Sequence, residues 1–543
     1  MSHRRPSARF AVLGLFLLLA VAHTWPLATA PGRLSRNDNA DTLLNEWIVA
    51  WVAHQAPRDP RHLFDANIFY PEQRTLAYSE LLIAPAAMGA PLLWLGASPV
   101  LVYNLLLILG LALSGWTACL LLWRWTDDLV AGLVTGVLFA FNAHTLTRLP
   151  QLQALHMEFL PLALLSLDAL LTSGRQREPR CHAWRAALGL GLSVTLQGVT
   201  SYYGLILMLT ALTVSWLVRP EDWWGREGRA PLAGLAASAV FAAVVLLPFL
   251  WPYTALGQVR SLEEVAQYSA GWRDYLASPA RVHYELWSAR WFGGVTALFP
   301  GVTSLVLAGV GLAMSPIARN RRARAAVAFG VVGVALSFGP ALPGYGSLYA
   351  WLLPLQGIRN AARFGYLGIV ACAILAGFGV AALRERWPRA RWMPAAAILL
   401  VVCANLDAFA APLDYVDAER VPALFERLRG TRAVVAHFPF YTSDRLFHNA
   451  DYMLESTAHW RPILNGYSGL TPASYDAHAR ALQHFPEAAS IAALRAAGVT
   501  HVFVNDRALR DWTDNETADA VGRSPDLLRL GVDGPLALYQ LRP

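Results

Sequence analysis

Three carboxylates stand between Arg36 and Trp47 in the stretch RNDNADTLLNEW: Asp38, Asp41 and Glu46. A carboxylate within hydrogen-bond reach of a hydroxyl can take its proton, so the stretch offers a general base. Asn37 or Asn39 can cap a helix beginning near Asp41. That places Asp41 in the first turn, where the helix dipole favours negative charge, one turn before Asn45 on the same side. Leu43, Leu44, Trp47, Ile48, Trp51 and Val52 then form one apolar stripe, the pattern of a helix lying on a membrane surface. Asp41 is the catalytic candidate, although capping alone also accounts for it. Asp38 reads as a cap or secondary substrate ligand, Asn45 as a substrate ligand and Glu46 as solvent-facing.

Further polar groups follow at similar positions beside apolar runs. The first loop continues as DPRHLFDANIFYPEQRTLAYSELL, with Tyr78 and Glu80 at its end. HTLTRLPQLQALHMEFLP sets His156 and Glu158 at the head of a helix, where ionisable groups at the mouth of a bundle mark a candidate site. His156 is equally readable as a surface residue. In LQGIRNAARFGYLG, Arg359 and Arg363 are spaced one helical turn apart, and planar guanidiniums match phosphate oxygens two at a time. Snorkelling to ordinary headgroups is the alternative. Tyr202 and Tyr203 join His156, Tyr78, Asn45 and Asp38 as substrate-binding candidates.

Elements that position these groups must be mostly membrane-embedded. The 543-residue chain is 55% hydrophobic and 15% charged, with a mean hydropathy of +0.37 and repeated apolar runs near span length. No lysine occurs, which excludes lysine Schiff-base and P-loop chemistry. The net charge of +7 comes from arginines grouped between spans, so nucleic acid is not an expected partner. Four scattered cysteines offer neither a disulfide framework nor a metal site. The basic start, apolar run and Ala28-Thr29-Ala30 resemble a signal peptide, but an uncleaved first helix is expected.

Ten further runs follow the first helix, beginning near residues 99, 129, 158, 184, 201, 230, 299, 325, 364 and 393. Arginine-rich loops at 175–185, 219–229, 319–324 and 384–391 alternate with loops of mixed charge, and the positive-inside rule makes those four cytoplasmic. The short run Leu81 to Leu95, with Pro85 and Pro91, would break this parity as a crossing and is read as interfacial or re-entrant. About eleven crossings then carry a cytoplasmic N-terminus to an external C-terminus. Regions 31–98, 144–157, 253–298 and 341–363 share the external face with the tail. In that tail AVVAHFPF and VTHVFVN read as strands, while VPALFERLR, SYDAHARALQHF and AASIAALRAAG read as helices. The expected organisation is a transmembrane domain over 1–412 and a small extracytoplasmic α/β domain over 413–543. HWRPILNGYSG reads as a buried connection or as a glycan-facing segment.

These features together resemble the GT-C superfamily of integral-membrane glycosyltransferases, which use polyprenyl-phosphate sugars. The likeness is to bacterial members with ADTLLNEWIVAW and LFDANIFYPEQRTLAYSE in the first loop, IRNAARFG later, and a tail segment like HWRPILNGYSG. It covers nearly the whole chain. Two departures stand out: Ala40 occupies a position often held by glycine, and QLQALHMEF replaces an arginine-containing acidic motif. The resemblance implies that Asp41 acts as general base, with Glu80 or Glu158 as second acidic partner, and that a divalent cation such as Mg or Mn could take part. It further implies a lipid or glycan acceptor, inversion at the sugar, and a bacterial inner membrane. An envelope polysaccharide polymerase or a lipid-linked glycan flippase is the competing reading, and a non-catalytic glycan-recognising envelope protein the third.

Overall fold

A computed structural model describes residues 6–173, 180–224, 228–257, 260–314, 319–388 and 391–542. Parts of the arginine-rich loops at 175–185, 219–229 and 384–391 lie outside the described residues. The chain divides into two compact units: one holds residues 1–30 and 105–414, and the other holds 31–104 and 415–543. The tail thus shares its unit with the first loop.

The first unit is a helical bundle of a multi-pass membrane protein. Every apolar run expected from the sequence contains a helix. Among the described residues, five helices are long and apolar enough to span a bilayer: Pro99–Thr126, Leu129–Thr147, Leu152–Ser173, Arg229–Ala255 and Ala361–Arg386. Tyr366–Arg386 is central, packing on Val302–Met314, Arg321–Ser337 and Leu129–Ala140. Its crossing with Val302–Met314 needs glycine, because a Cβ at Gly311 would lie 2.2 Å from the Leu375 carbonyl oxygen.

Loops assigned to one face meet one another in this unit. The Ala362 N–H donates to the Tyr268 carbonyl (3.1 Å), and Arg363 donates to Gln151 Oε1 (2.9 Å), joining regions 144–157, 253–298 and 341–363. At arginine-rich loops, buried Asp168 accepts from Arg219 and Arg322, while Asp222 pairs with Arg219 and Arg321. Asp168, the nearest thing to an isolated charge within a span, is therefore neutralised.

The second unit is built on a four-stranded sheet in the order Val435–Phe438, His501–Asn505, Leu536–Leu541, Leu527–Asp533. The first two strands are parallel and the remaining pairs antiparallel. The helix Ala473–Ala481 covers most of SYDAHARALQHF and Ala488–Ala496 lies within AASIAALRAAG, whereas VPALFERLR forms a 3-10 turn, Ala423–Leu428. The run at Leu81 forms the helix Ile83–Trp94, packed on Ala40–Gln55.

The Ala40–Gln55 helix departs from the surface helix its stripe implies. Thr42 through Ala53 are all buried, polar Asn45 and Glu46 included. Leu43 packs against Ala450 and Leu454 of the Asn449–Glu455 helix, so a segment about 400 residues away in sequence supplies a second buried face. Glu46 accordingly does not face solvent: it is 0% exposed.

Candidate functional site

Asn39 caps the Ala40–Gln55 helix by accepting from the Asp41 N–H at 2.9 Å. Asp41 is half-buried, and its Oδ1 accepts from the Tyr467 hydroxyl at 2.9 Å. Asn45, one turn on, donates to the Asp41 carbonyl at 2.5 Å. The helix thus fixes the Asp41 backbone while the tail holds its carboxylate, and the residue stays half-buried, an arrangement that suits proton abstraction. Asp38 is exposed and paired with Arg36 at 3.5 Å, leaving the cap to Asn39.

Tyr467 belongs to HWRPILNGYSG, and that segment is clamped to the first loop along its length. The Phe69 and Tyr70 N–H groups donate to the Asn465 and Ile463 carbonyls, and Ile463 N–H donates to Asn67. Gly466 lies against Phe69, where a Cβ would fall 2.8 Å from the ring. Asn465 is fully buried, accepting from the His437 N–H and donating to the His437 carbonyl. The segment is thus a buried connection that brings the Tyr467 hydroxyl to Asp41. Tyr467 was missed as a site residue because only its fold partner, the first loop, reveals its target.

Acidic groups surround this helix. Burial pushes the Glu46 carboxyl up to about 8, against the opposing Asn37 hydrogen bond (3.2 Å) and with a contribution from Asp451. Burial likewise raises Asp451 to about 6, with Glu419 adding to it. Burial thus favours the neutral form of Glu46, and at 0% exposure its carboxyl is out of reach of an incoming hydroxyl. Tyr78 and Glu80 are also buried in this unit.

The first unit holds the remaining candidates. His156 is buried rather than on the surface; its Nε2 lies 3.1 Å from the Leu106 carbonyl and its Nδ1 lies 2.9 Å from Glu158 Oε1. A carbonyl only accepts, so Nε2 carries hydrogen, and the remaining contact holds one proton on either Nδ1 or Oε1. Gly110 leaves room for the ring, since a Cβ there would come within 2.9 Å of it. Glu158 is 3% exposed, with Oε2 unpartnered.

Arg359 and Arg363 are not one helical turn apart, because the 3-10 turn begins only at Ala361. Arg363 stacks over Tyr203 at 4.1 Å and bonds Gln151, whereas Arg359 lies over Tyr268 at 4.8 Å and 4.0 Å from Glu264. The Tyr203 hydroxyl oxygen accepts the N–H groups of Arg359 and Asn360, fixing the backbone between them. Tyr202 donates to the Pro354 carbonyl (3.0 Å) and stacks on Tyr253. His144 and Arg148 are buried in this region, and Arg148 and Arg363 both act electrostatically on His144. Both lie in the quoted HTLTRLP, where their burial had no sequence signal. Among the described residues no three His, Cys, Asp or Glu side chains group to hold a metal.

No protein-family model and no curated protein matches the sequence. Among solved structures, the chain is similar to arabinofuranosyltransferase AftD from Mycobacteria, with a TM-score of 0.63 and 16% identity. That match covers 100% of this chain and 40% of AftD, so the chain spans two fifths of that protein's length. It is also similar to the oligosaccharyltransferase AglB from Archaeoglobus fulgidus, solved with an inhibitory peptide and a dolichol-phosphate. There the TM-score is 0.51 and identity 12%, covering 98% of this chain and 74% of AglB. The chain has the fold of the GT-C membrane glycosyltransferases.

Proposed function

We propose that the chain moves a sugar from a polyprenyl-phosphate-linked donor to a lipid or glycan acceptor, at the external face of a bacterial inner membrane. The observation that carries this reading is Asp41: a half-buried carboxylate that accepts from the Tyr467 hydroxyl, at the head of a helix capped by Asn39, on a fold shared with glycosyltransferases. Its carboxylate takes the proton of an acceptor hydroxyl as the oxygen bonds to C1 of the sugar. The C1–O bond to the lipid phosphate breaks, the phosphate leaves with the bonding pair, and direct displacement inverts the anomeric centre. Arg363 and Arg359 belong to the first unit, and the role proposed for them, binding the donor's lipid phosphate, rests on that unit's own geometry, with Arg363 over Tyr203 and Arg359 over Tyr268. Glu158, already sharing a proton with His156, is better suited to positioning than to acting as a second base, and buried Glu80 remains the alternative acidic partner. A flippase reading loses support because Asp168 is paired within the bundle.

Asp41→Asn in reconstituted membranes should lower transfer at least about a hundredfold while leaving donor affinity within about twofold. Retained turnover would sink the base assignment. Replacing Arg359 and Arg363 together with glutamine should instead weaken donor binding about tenfold to a hundredfold, the worth of charge-assisted hydrogen bonds. Unchanged donor affinity in that variant removes the phosphate role.

A further inference from the structure

At the opposite end of the Ala40–Gln55 helix from Asp41, the second unit opens into a cleft of about 770 Å³. Its lining includes His54, Arg58, Trp94, Arg429 and Trp460, and among the described residues no carboxylate. The volume lies within the range of ligand sites. Two features of its walls identify a chemistry.

The first is aromatic. Trp94 is 62% exposed, yet its indole N–H is anchored to the Ala53 carbonyl at 3.0 Å, so at the end of the interfacial helix the ring is held in place with much of it uncovered by protein. Trp460 stacks on His54 at 4.3 Å between ring centroids and lies beside Trp51 at 5.8 Å. Fixed indole faces stack against the C–H faces of sugar rings with little conformational cost. The second is charge. Arg58 is exposed and its Nη1 donates to its own helix at the His54 carbonyl, while Arg429 is held by its Nε on the Ala458 carbonyl at 3.1 Å and keeps an Nη2 3.9 Å from Glu426 on the surface. His54 reports the local field: burial, then the charges of Arg58 and Arg461, hold its pKa down at about 4, so it stays a neutral ring in the stack. Guanidiniums set at an aromatic cleft suit a ligand that is both sugar and acid.

We propose that this cleft binds an acidic oligosaccharide, with Trp94 and Trp460 stacking its sugar rings and Arg58 and Arg429 pairing its carboxylate or phosphate groups. His54 follows Asp41 by thirteen residues, a rise of about 20 Å along the helix, so the cleft holds a part of the glycan several sugars away from the reacting hydroxyl. In that role, as a remote acceptor subsite, the inference rests on the glycosyl-transfer reading; binding itself does not.

Calorimetric titration of the full chain in phosphatidylcholine nanodiscs tests it, with tetragalacturonate as acidic probe and maltotetraose as neutral counterpart. The wild-type chain should bind the acidic probe at least about tenfold tighter, with an affinity that falls as salt rises. Arg58→Ala with Arg429→Ala should erase that preference, and Trp94→Ala should weaken both probes about tenfold, with Trp94→Phe recovering most of the loss. Asp41→Asn should bind like wild type while losing transfer. No binding of tetragalacturonate by the wild-type chain, or binding indifferent to these substitutions, overturns the proposal. So does loss of probe binding when phosphatidylglycerol replaces phosphatidylcholine, which would make the cleft a headgroup site. Turnover retained by Asp41→Asn alongside intact cleft binding would fault only the base assignment.

Discussion

A single hydroxyl separates two roles for Asp41. A helix-capping aspartate needs no partner across the fold, yet Asp41 leaves the cap to Asn39 and takes the Tyr467 hydroxyl instead. Tyr467→Phe keeps the ring and removes that hydrogen bond, worth about 1 kcal/mol. It should lower kcat about fivefold to tenfold with little change in KM, measured beside an unchanged thermal midpoint. Glu46 makes a different prediction. Its carboxyl is raised from 4.5 to about 8, so the folded chain holds a proton that the unfolded chain has lost across that window. Stability contributed by the neutral form is full below about 4.5 and is lost as pH rises through 8, on the order of 4 kcal/mol. Asp451 adds the same sign of slope only up to about 6. Histidines held neutral by burial, such as His54, slope the other way near pH 6.5, so the Glu46 contribution is read as a difference: the midpoint of Glu46→Gln relative to wild type should rise steadily from pH 6 to pH 8.

At the scale of elements, periodicity announced the Ala40–Gln55 helix and its first apolar face, since Leu43, Trp47 and Trp51 recur at helical spacing. Its second buried face was not legible, because Ala450 and Leu454 reach it only through the fold. The same reason hid the burial of Glu46, a residue type that composition assigns to water. The hairpin of Leu527–Asp533 and Leu536–Leu541 also escaped the sequence, although Asp533-Gly534 is a turn signal and Gly534 has φ +57°. Its outer strand is largely exposed and bulged near Gly531, so no clean alternation marks it. Contact between the first loop and HWRPILNGYSG is the element-level feature most open to test. Gly466→Ala places a Cβ 2.8 Å from the fully buried Phe69 ring and should cost about 1–3 kcal/mol, seen as a lower thermal midpoint. Gly522→Ala, with nothing within 4 Å at a helical position, should be neutral or stabilising.

Across the whole molecule, arginine placement was the most informative property of the sequence. Loops that the alternation put on one face do meet: 144–157 and 253–298 each bond to 341–363, and the described parts of 219–229 and 319–324 share the Asp168 and Asp222 pairs. Those contacts fix which loops belong together, and the positive-inside rule then assigns the arginine-rich set to the cytoplasm. A native reporter exists for that orientation. Cys181 is exposed within the arginine-rich 175–185 loop, whereas Cys119 is buried and Cys372 and Cys403 are only partly accessible in apolar helices. A membrane-impermeant maleimide applied to cells with a permeable outer envelope should leave Cys181 unlabelled until the inner membrane is opened. Glu285→Cys, an exposed position in region 253–298, should be labelled before that step. Since one position lies on an arginine-rich loop and the other on a loop of mixed charge in the same unit, the order of labelling reads the orientation directly. Labelling of Cys181 first would invert the topology and place the Arg359 and Arg363 region, which joins the Glu285 loop through Tyr268 and Ala362, on the cytoplasmic side. A donor presented only at the external leaflet could not then reach those arginines.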